Sequence, residues 1–259
     1  MLGAIIGDIV GSRFEFNNTS DFHFQLFTPA CDFTDDTICT IAVADAALNG
    51  KPYKETMLEW CRRYPHPMGS YGGSFKRWIH TAFPEPYNSF GNGSAMRVGA
   101  IGWLFDTEEE VLSQAKLPAE ITHNHPEGIK GAQAVALAVF LARRGETKEA
   151  VLERMRDYYP TFTTPRLGAN PFNETCQGTL PICLGIIDKA NDFEEALRYA
   201  IAVGGDSDTI GAIVGAMAEA FWGIPEAIKA EALAYLPTDI MNIYTQFVEK
   251  TTQNSPKND

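Results

Sequence analysis

Two short acidic segments, far apart along the chain, carry the residues best suited to chemistry. The segment "TDDT" at 34–37 places Asp35 and Asp36 side by side ahead of an apolar run, and "GGDSDTIGAIVGA" at 204–216 places Asp206 and Asp208 in the same way. One carboxylate at a helix start is an ordinary cap. Two carboxylates beside a hydroxyl are the oxygen ligands that Mg²⁺, Mn²⁺ or Ca²⁺ prefers. For either segment alone, the residues leave both interpretations open.

The pairing of Asp35 with Asp36 calls for a compensating positive charge. Two carboxylates about 4–5 Å apart repel each other by roughly 3–4 kcal/mol at an effective dielectric near 20. Burial raises that cost unless hydrogen-bond donors or a cation offset it. We therefore expect either good donors or a bound cation at the start of this helix.

Better-known acidic and histidine motifs fit less well. Neither segment has the spacing of an EF-hand loop. A phosphatase of the haloacid dehalogenase type would use Asp-x-Asp-x-Thr after a strand, whereas Thr209 comes one residue too early and follows a helical pattern. A Mg²⁺-dependent phosphohydrolase stays as an alternative. The "HNH" at 123–125 lacks a nearby third zinc ligand, so His125 is expected to be a surface or structural residue.

Composition excludes several classes of protein. The 259 residues carry a net charge of −12 and are 45% hydrophobic. No stretch concentrates Lys or Arg with aromatic residues in the way that a nucleic-acid groove would need, so general nucleic-acid binding is not expected. No linker divides the chain, which favours one domain. The five cysteines are scattered and show no CxxC spacing, which argues against disulfides and structural zinc. Without a signal peptide or an apolar stretch of about 18 residues, we expect a cytoplasmic protein with no membrane span.

Helical patterns dominate, and β-strand alternation is nearly absent. Thr107 with Glu110, and Asp192 with Glu195, have the spacing of capping boxes that open helices. Three further segments have helical patterns: "FEEALRYAIA", whose apolar residues share one helix face, the alanine-rich "GIKGAQAVALAVFLARRGE", and "YKETMLEWCRRYP", which ends at a proline. An all-α fold is predicted.

Glycines recur every four residues in two of these segments. Gly3, Gly7 and Gly11 share one helix face, as do Gly211 and Gly215. Each costs up to about 1 kcal/mol relative to alanine in a helix. Close contact between helices is the simpler interpretation, and approach of backbone to a ligand is the other.

Four separated motifs, in order, give a family resemblance. "GDIVGSRFE", "TDDT", "FGNGSAMRVGAIG" and "GGDSDTIGAIVGA" resemble the opening, first metal-binding, substrate and second metal-binding segments of the ADP-ribosylglycohydrolase family, from Gly3 to about Pro225. The resemblance implies an all-α, single-domain orthogonal helical bundle. We expect this domain to span 1–250 and the polar tail 251–259 to be frayed or disordered.

The resemblance also implies a site for two Mg²⁺ or Mn²⁺ ions between helices. Glu15 matches a family glutamate beside the metals, as a ligand, a gate or the base. Asp208 would bridge the ions, and Ser207 is a conservative departure from the family's threonine at a position that need not bind metal. The implied ligands are Thr34, Asp35, Asp36, Asp206, Asp208 and Thr209.

A substrate segment follows from the glycines and from the resemblance together. Gly91 and Gly93 allow backbone N–H groups to approach a diphosphate or ribose, and a helix beginning near Ser94 would present its positive end; a plain turn and cap is the alternative. By resemblance, substrate contacts are expected from Gly72, Ser89, Phe90, Gly91, Asn92, Gly93 and His123.

The activity implied is metal-assisted hydrolysis of the glycosidic bond that joins ADP-ribose to an acceptor. The acceptor would be a protein side chain or another ADP-ribosylated molecule. Glu15, Asp35 or Asp36 would orient the water and accept its proton. An inactive ADP-ribose-binding or structural relative is the other class, although a pure scaffold has no reason to keep five clustered carboxylates.

Overall fold

Helices form the regular structure of the computed structural model, which describes residues 1–253. Their order is α1 (Leu2–Gly11), a 3₁₀ turn (Ser12–Phe14), α2 (Asp35–Asn49), α3 (Tyr53–Arg63), α4 (Gly73–His80), α5 (Gly93–Met96), α6 (Ile101–Leu104), α7 (Glu108–Glu120), α8 (Pro126–Arg143), α9 (Lys148–Met155), α10 (Cys176–Lys189), α11 (Phe193–Ala202), α12 (Ser207–Trp222), α13 (Glu226–Leu233) and α14 (Thr238–Gln253). Within residues 1–253, β pairing is limited to two isolated bridges, Thr34 with Met68 and Gly91 with Thr175. The predicted all-α fold is confirmed.

The predicted helix starts are confirmed, with one difference of detail. Thr107 and Glu110 form the full capping box of α7. Asp192 caps α11 by accepting from the backbone N–H of Glu195, but the Glu195 side chain accepts from Asn191 instead of returning to the cap residue. Only half of the second predicted box therefore forms.

The two glycine stripes meet where α1 packs against α12. A Cβ on Gly7 would overlap the backbone carbonyl of Gly211, and one on Gly3 would overlap that of Gly215. Gly11 faces the next turn of the same helix, where a Cβ would lie 2.6 Å from the Cα of Asp208. Helix contact is therefore the reason for both stripes, and it brings the second acidic segment against the end of α1.

The C-terminal helix extends past the predicted domain end. Helix α14 continues to Gln253, so it includes 251–253, while the predicted tail residues 254–259 lie outside the described residues. None of the helices within residues 1–253 combines the length and the hydropathy that a membrane crossing requires.

Candidate active site

The first acidic segment is capped by its threonine and not by its aspartates. Thr34 is the N-cap of α2, and its hydroxyl accepts from the backbone N–H of Asp36. The Asp36 side chain is buried, and its Oδ1 has no hydrogen-bond partner. Asp35 lies beside it at the edge of a cleft. Since Thr34 does the capping, both carboxylates are available for another role.

The second acidic segment also lacks a side-chain cap. Asp206 occupies the N-cap position of α12 but makes no cap hydrogen bond. Gly204 and Gly205 precede it with φ of +84° and +87°, values that favour glycine. Asn18 fixes this turn, since its Oδ1 accepts from the N–H of Gly205 and its amide donates to the Gly205 carbonyl. The Asp206 carboxylate is therefore not used as a cap, and its Oδ2 accepts from the side-chain amide of Asn92 at 2.7 Å.

Carboxylates from three parts of the chain converge at this point. One oxygen each from Glu15, Asp206 and Asp208 lie within 4.8 Å of one another. Thr209 Oγ1 lies 3.4 Å from Asp36 Oδ2 and so joins the two acidic segments. Within residues 1–253, none of the carboxylates at this cluster forms an ion pair with a basic side chain.

The Glu15 side chain is held under a loop. A Cβ on Gly69, where φ is +75°, would overlap Glu15 Oε2. That oxygen is buried and has no hydrogen-bond partner. Gly69 therefore accommodates both the positive φ and the close approach of the loop to Glu15, and the Glu15 carboxylate keeps an unpartnered oxygen at the cleft.

Asp8, which the sequence motifs did not single out, supports the first segment from behind. Asp8 is fully buried. Its oxygens accept from the N–H and hydroxyl of Thr34 at 2.9 and 2.7 Å, and from the N–H of Thr37 at 3.0 Å. The sequence gives one indication of this role, since Asp8 of "GDIVGSRFE" lies inside an apolar helix, where a carboxylate needs buried hydrogen-bond donors.

Burial and crowding raise the pKa of every carboxyl group in the cluster. Burial, followed by neighbouring carboxylates, raises the pKa of Asp35, Asp36 and Asp208 well above the usual range. The same causes raise the pKa of Glu15 to about 7. Burial raises the pKa of Asp8 to about 6 against the lowering effect of its hydrogen bonds. A site of this kind favours protons or cations.

The acidic cluster forms the floor of a cleft of about 610 Å³. Thr34 is not among the residues that line it, because its side chain lies behind Asp36 and bonds to Asp8. The lining contains all the other residues predicted to be catalytic, to bind metal or to contact substrate, namely Glu15, Asp35, Asp36, Gly72, Ser89, Phe90, Gly91, Asn92, Gly93, His123, Asp206, Asp208 and Thr209.

Asn92 connects the glycine-rich wall of the cleft to the acidic floor. Its amide donates to Asp206 Oδ2 at 2.7 Å, and its backbone N–H donates to the Glu174 carbonyl at 2.7 Å. The helix expected near Ser94 begins at Gly93 and is a single turn, α5. The Gly91–Gly93 segment is therefore tied directly to the acidic cluster.

Aromatic side chains stand at the mouth of the cleft. Phe16 and Phe172 stack with ring centroids 6.2 Å apart and are 74% and 48% exposed. Phe90 is 43% exposed and packs beside His125. His125 caps α8 by accepting from Glu127, which confirms the structural role expected for it. Phe16 and Phe172 were missed, since isolated phenylalanines give no signal in the sequence.

Comparisons with known proteins agree with the geometry. A family model described as ADP-ribosylglycohydrolase matches residues 1–257. Human "ADP-ribosylhydrolase ARH3" is 25% identical, with 93% of this chain and 90% of the relative aligned. The "ADP-ribosyl-[dinitrogen reductase] glycohydrolase" of Rhodospirillum rubrum is 26% identical, with 87% and 85% aligned. A solved structure, "ADP-ribosylglycohydrolase-related protein complex", superposes with a TM-score of 0.76 at 25% identity and covers 97% of this chain and 95% of that chain.

Proposed function

Because the chain belongs to the ADP-ribosylglycohydrolase family, we propose that it is a metal-dependent hydrolase that cleaves the glycosidic bond between ADP-ribose and an acceptor. The observation that carries this proposal is the convergence of Glu15 and both acidic segments on one cleft. The glycine-rich segment forms the adjoining wall and is bonded to that floor through Asn92 and Asp206. A carboxylate cluster beside an anion-tolerant backbone loop suits a phosphorylated sugar substrate.

The residues present fit a pair of divalent cations. Asp36 Oδ1 and Glu15 Oε2 are buried without partners, and buried carboxylate oxygens in that state need a cation or a proton. Oxygen-only ligands favour Mg²⁺ or Mn²⁺. When bound, such ions supply Lewis acidity and neutralise the clustered charge. The predicted ligands that line the cleft, Asp35, Asp36, Asp206, Asp208 and Thr209, would hold these ions, and Asp208 would be shared by both. Thr34, also predicted as a ligand, lies behind Asp36 with its hydroxyl bonded to Asp8, so we propose that it supports the first segment instead.

The cleft residues would position the substrate for hydrolysis. Gly72 and the 89–93 segment lie along the wall, where backbone N–H groups and the exposed Phe90 ring suit the diphosphate and its flanking groups. Asn92 would keep this wall in register with the acidic floor, because its amide is bonded to Asp206. Precise placement of the scissile bond is itself worth several kcal/mol of the barrier.

A carboxylate at the floor would orient the attacking water and take its proton. Glu15, Asp35 and Asp36 are the candidates, since all three line the cleft. Glu15 has a free oxygen and is the one whose side chain approaches from outside both acidic segments. We therefore favour Glu15 as the base.

The test is incubation of the protein and Mg²⁺ with ADP-ribosylated arginine, serine and nucleic-acid substrates. Release of intact ADP-ribose from at least one substrate is expected, and the preferred substrate identifies the acceptor. Release of inorganic phosphate instead would favour the phosphohydrolase alternative. Tight binding of ADP-ribose without release from any of these substrates would favour a binding protein, and it would contradict the proposal.

A further inference from the structure

A buried arginine lies at the glycine-rich wall of the cleft without a carboxylate partner. Arg97 is 1% exposed, and within residues 1–253 it forms no ion pair. Its Nη2 donates to the Pro118 carbonyl at 2.6 Å and to Thr122 Oγ1 at 2.9 Å. The first bond caps the last turn of α7, where a cation is favoured. The second bond is not explained by capping.

The bond from Arg97 fixes the direction of the next hydrogen bond. A guanidinium only donates, so Thr122 Oγ1 accepts from it and must place its own proton elsewhere. Thr122 is fully buried, and the other partner of its hydroxyl is His123 Nδ1 at 2.7 Å. If His123 Nδ1 carried a proton, the Thr122 proton would be buried without an acceptor, which is costly. Thr122 therefore donates to Nδ1.

This direction determines the state of the His123 ring. An Nδ1 that accepts leaves the ring proton on Nε2. A Cβ on either Gly91 or Gly93 would lie 3.3 Å from that Nε2, so the ring faces the glycine-rich segment. Among the described residues no acceptor is bonded to Nε2, and His123 lines the cleft. The Nε2–H is a donor that a ligand can reach.

We propose that Arg97 and Thr122 are positioning residues that hold His123 as a neutral Nε2–H donor for an acceptor oxygen of the ribose or diphosphate of ADP-ribose. The choice of ligand rests on the proposed function, whereas the state of the ring does not. Burial and the nearby Arg97 also lower the pKa of His123 well below its usual value, which keeps the ring neutral at physiological pH. The cleft thus presents one directed donor instead of a mixture of tautomers.

The ring state is measured on ligand-free protein by long-range ¹H–¹⁵N NMR of labelled histidine. The His123 signals are assigned by their loss in His123→Gln. We expect the wild type and Thr122→Ser to show protonated Nε2 and unprotonated Nδ1. Thr122→Val, which removes the hydroxyl, and Arg97→Met, which removes its donor, are expected to show a second tautomer.

The consequence for binding is measured by calorimetry with ADP-ribose and Mg²⁺. Thr122→Val should weaken binding about 3- to 10-fold, as loss of one hydrogen bond predicts, while Thr122→Ser stays within about twofold. A wild-type His123 ring protonated at Nδ1 overturns the proposal, and this result does not depend on whether the variants fold. Spectra that stay unchanged in both Thr122→Val and Arg97→Met also overturn it. If the wild type has the expected ring but binds no ADP-ribose, the proposed function fails and the positioning arrangement stands.

Discussion

Removing divalent cations should make the protein's stability fall as the pH rises. Burial raises the pKa of Asp8 from 3.8 to about 6 and that of Glu15 from 4.5 to about 7. An unfolded chain loses these protons first as the pH rises, so the folded state is favoured at low pH. The stabilisation is complete below about pH 4 and is lost as the pH passes through the raised values.

A lower limit for the size of the effect between pH 5 and pH 8 follows from these two groups, since the raised pKa values of Asp35, Asp36 and Asp208 act in the same direction. Each pKa unit corresponds to about 1.4 kcal/mol. The stabilisation from Asp8 is lost between pH 5 and its folded pKa of about 6. The stabilisation from Glu15 is lost between pH 5 and its folded pKa of about 7, and solvent screening at this partly exposed group halves its contribution. Together they lower the free energy of unfolding by about 3 kcal/mol, which is about 6–12 °C in Tm for a chain of this size.

The assay is thermal unfolding in chelator and in Mg²⁺ at both pH values. In chelator the protein should melt at a lower temperature at pH 8 than at pH 5. At pH 8, saturating Mg²⁺ should raise the Tm, because ligand at about 100 times its Kd adds about 2.7 kcal/mol. Since cations bind ionised carboxylates, the gain from Mg²⁺ should be smaller at pH 5.

A carboxamide variant separates charge crowding from other causes. Asp36→Asn removes a buried carboxylate whose Oδ1 has no partner, so in chelator at pH 8 it should melt above the wild type, and Mg²⁺ should add little. Asp188→Asn, at an exposed position, is the matched control and should change neither result. A wild-type Tm that is the same at both pH values in chelator, or an Asp36→Asn variant destabilised there, would refute the reasoning.

Three further changes test the packing and the site. Gly7→Ala should lower stability by about 1–3 kcal/mol or more, because the added Cβ overlaps the Gly211 carbonyl; thermal unfolding with an unchanged Tm would contradict the packing. Asp208→Asn should reduce turnover of an ADP-ribosylated substrate by about 100- to 1000-fold, and near-normal activity would overturn its proposed place between the ions. Asn92→Ala removes the bond to Asp206 and should weaken Mg²⁺ affinity about 10- to 100-fold in a calorimetric titration, whereas unchanged affinity would show that the wall and the floor act separately.

The fold class and the chemical character of the site could be predicted from the residues alone. Local hydrogen bonds open the helices, so the caps at Thr107 and Asp192 could be read from spacing alone. The acidic segments could likewise be recognised as unusual, because two adjacent carboxylates before an apolar helix exceed what a cap requires. The glycine stripes indicated close helix contact, which the pairing of α1 with α12 confirms.

How these groups act together depends on the packing of the helices. Asn92 bonds to Asp206 across 114 positions of the chain, and the support of Asp8 for Thr34 crosses 26. Spacing cannot reveal such contacts, because they depend on how whole helices pack. The direction of the Thr122 to His123 bond is the clearest case, since it is set by a guanidinium from another helix end. The type of a residue limits the hydrogen bonds that it can make, and the fold determines which of these bonds form.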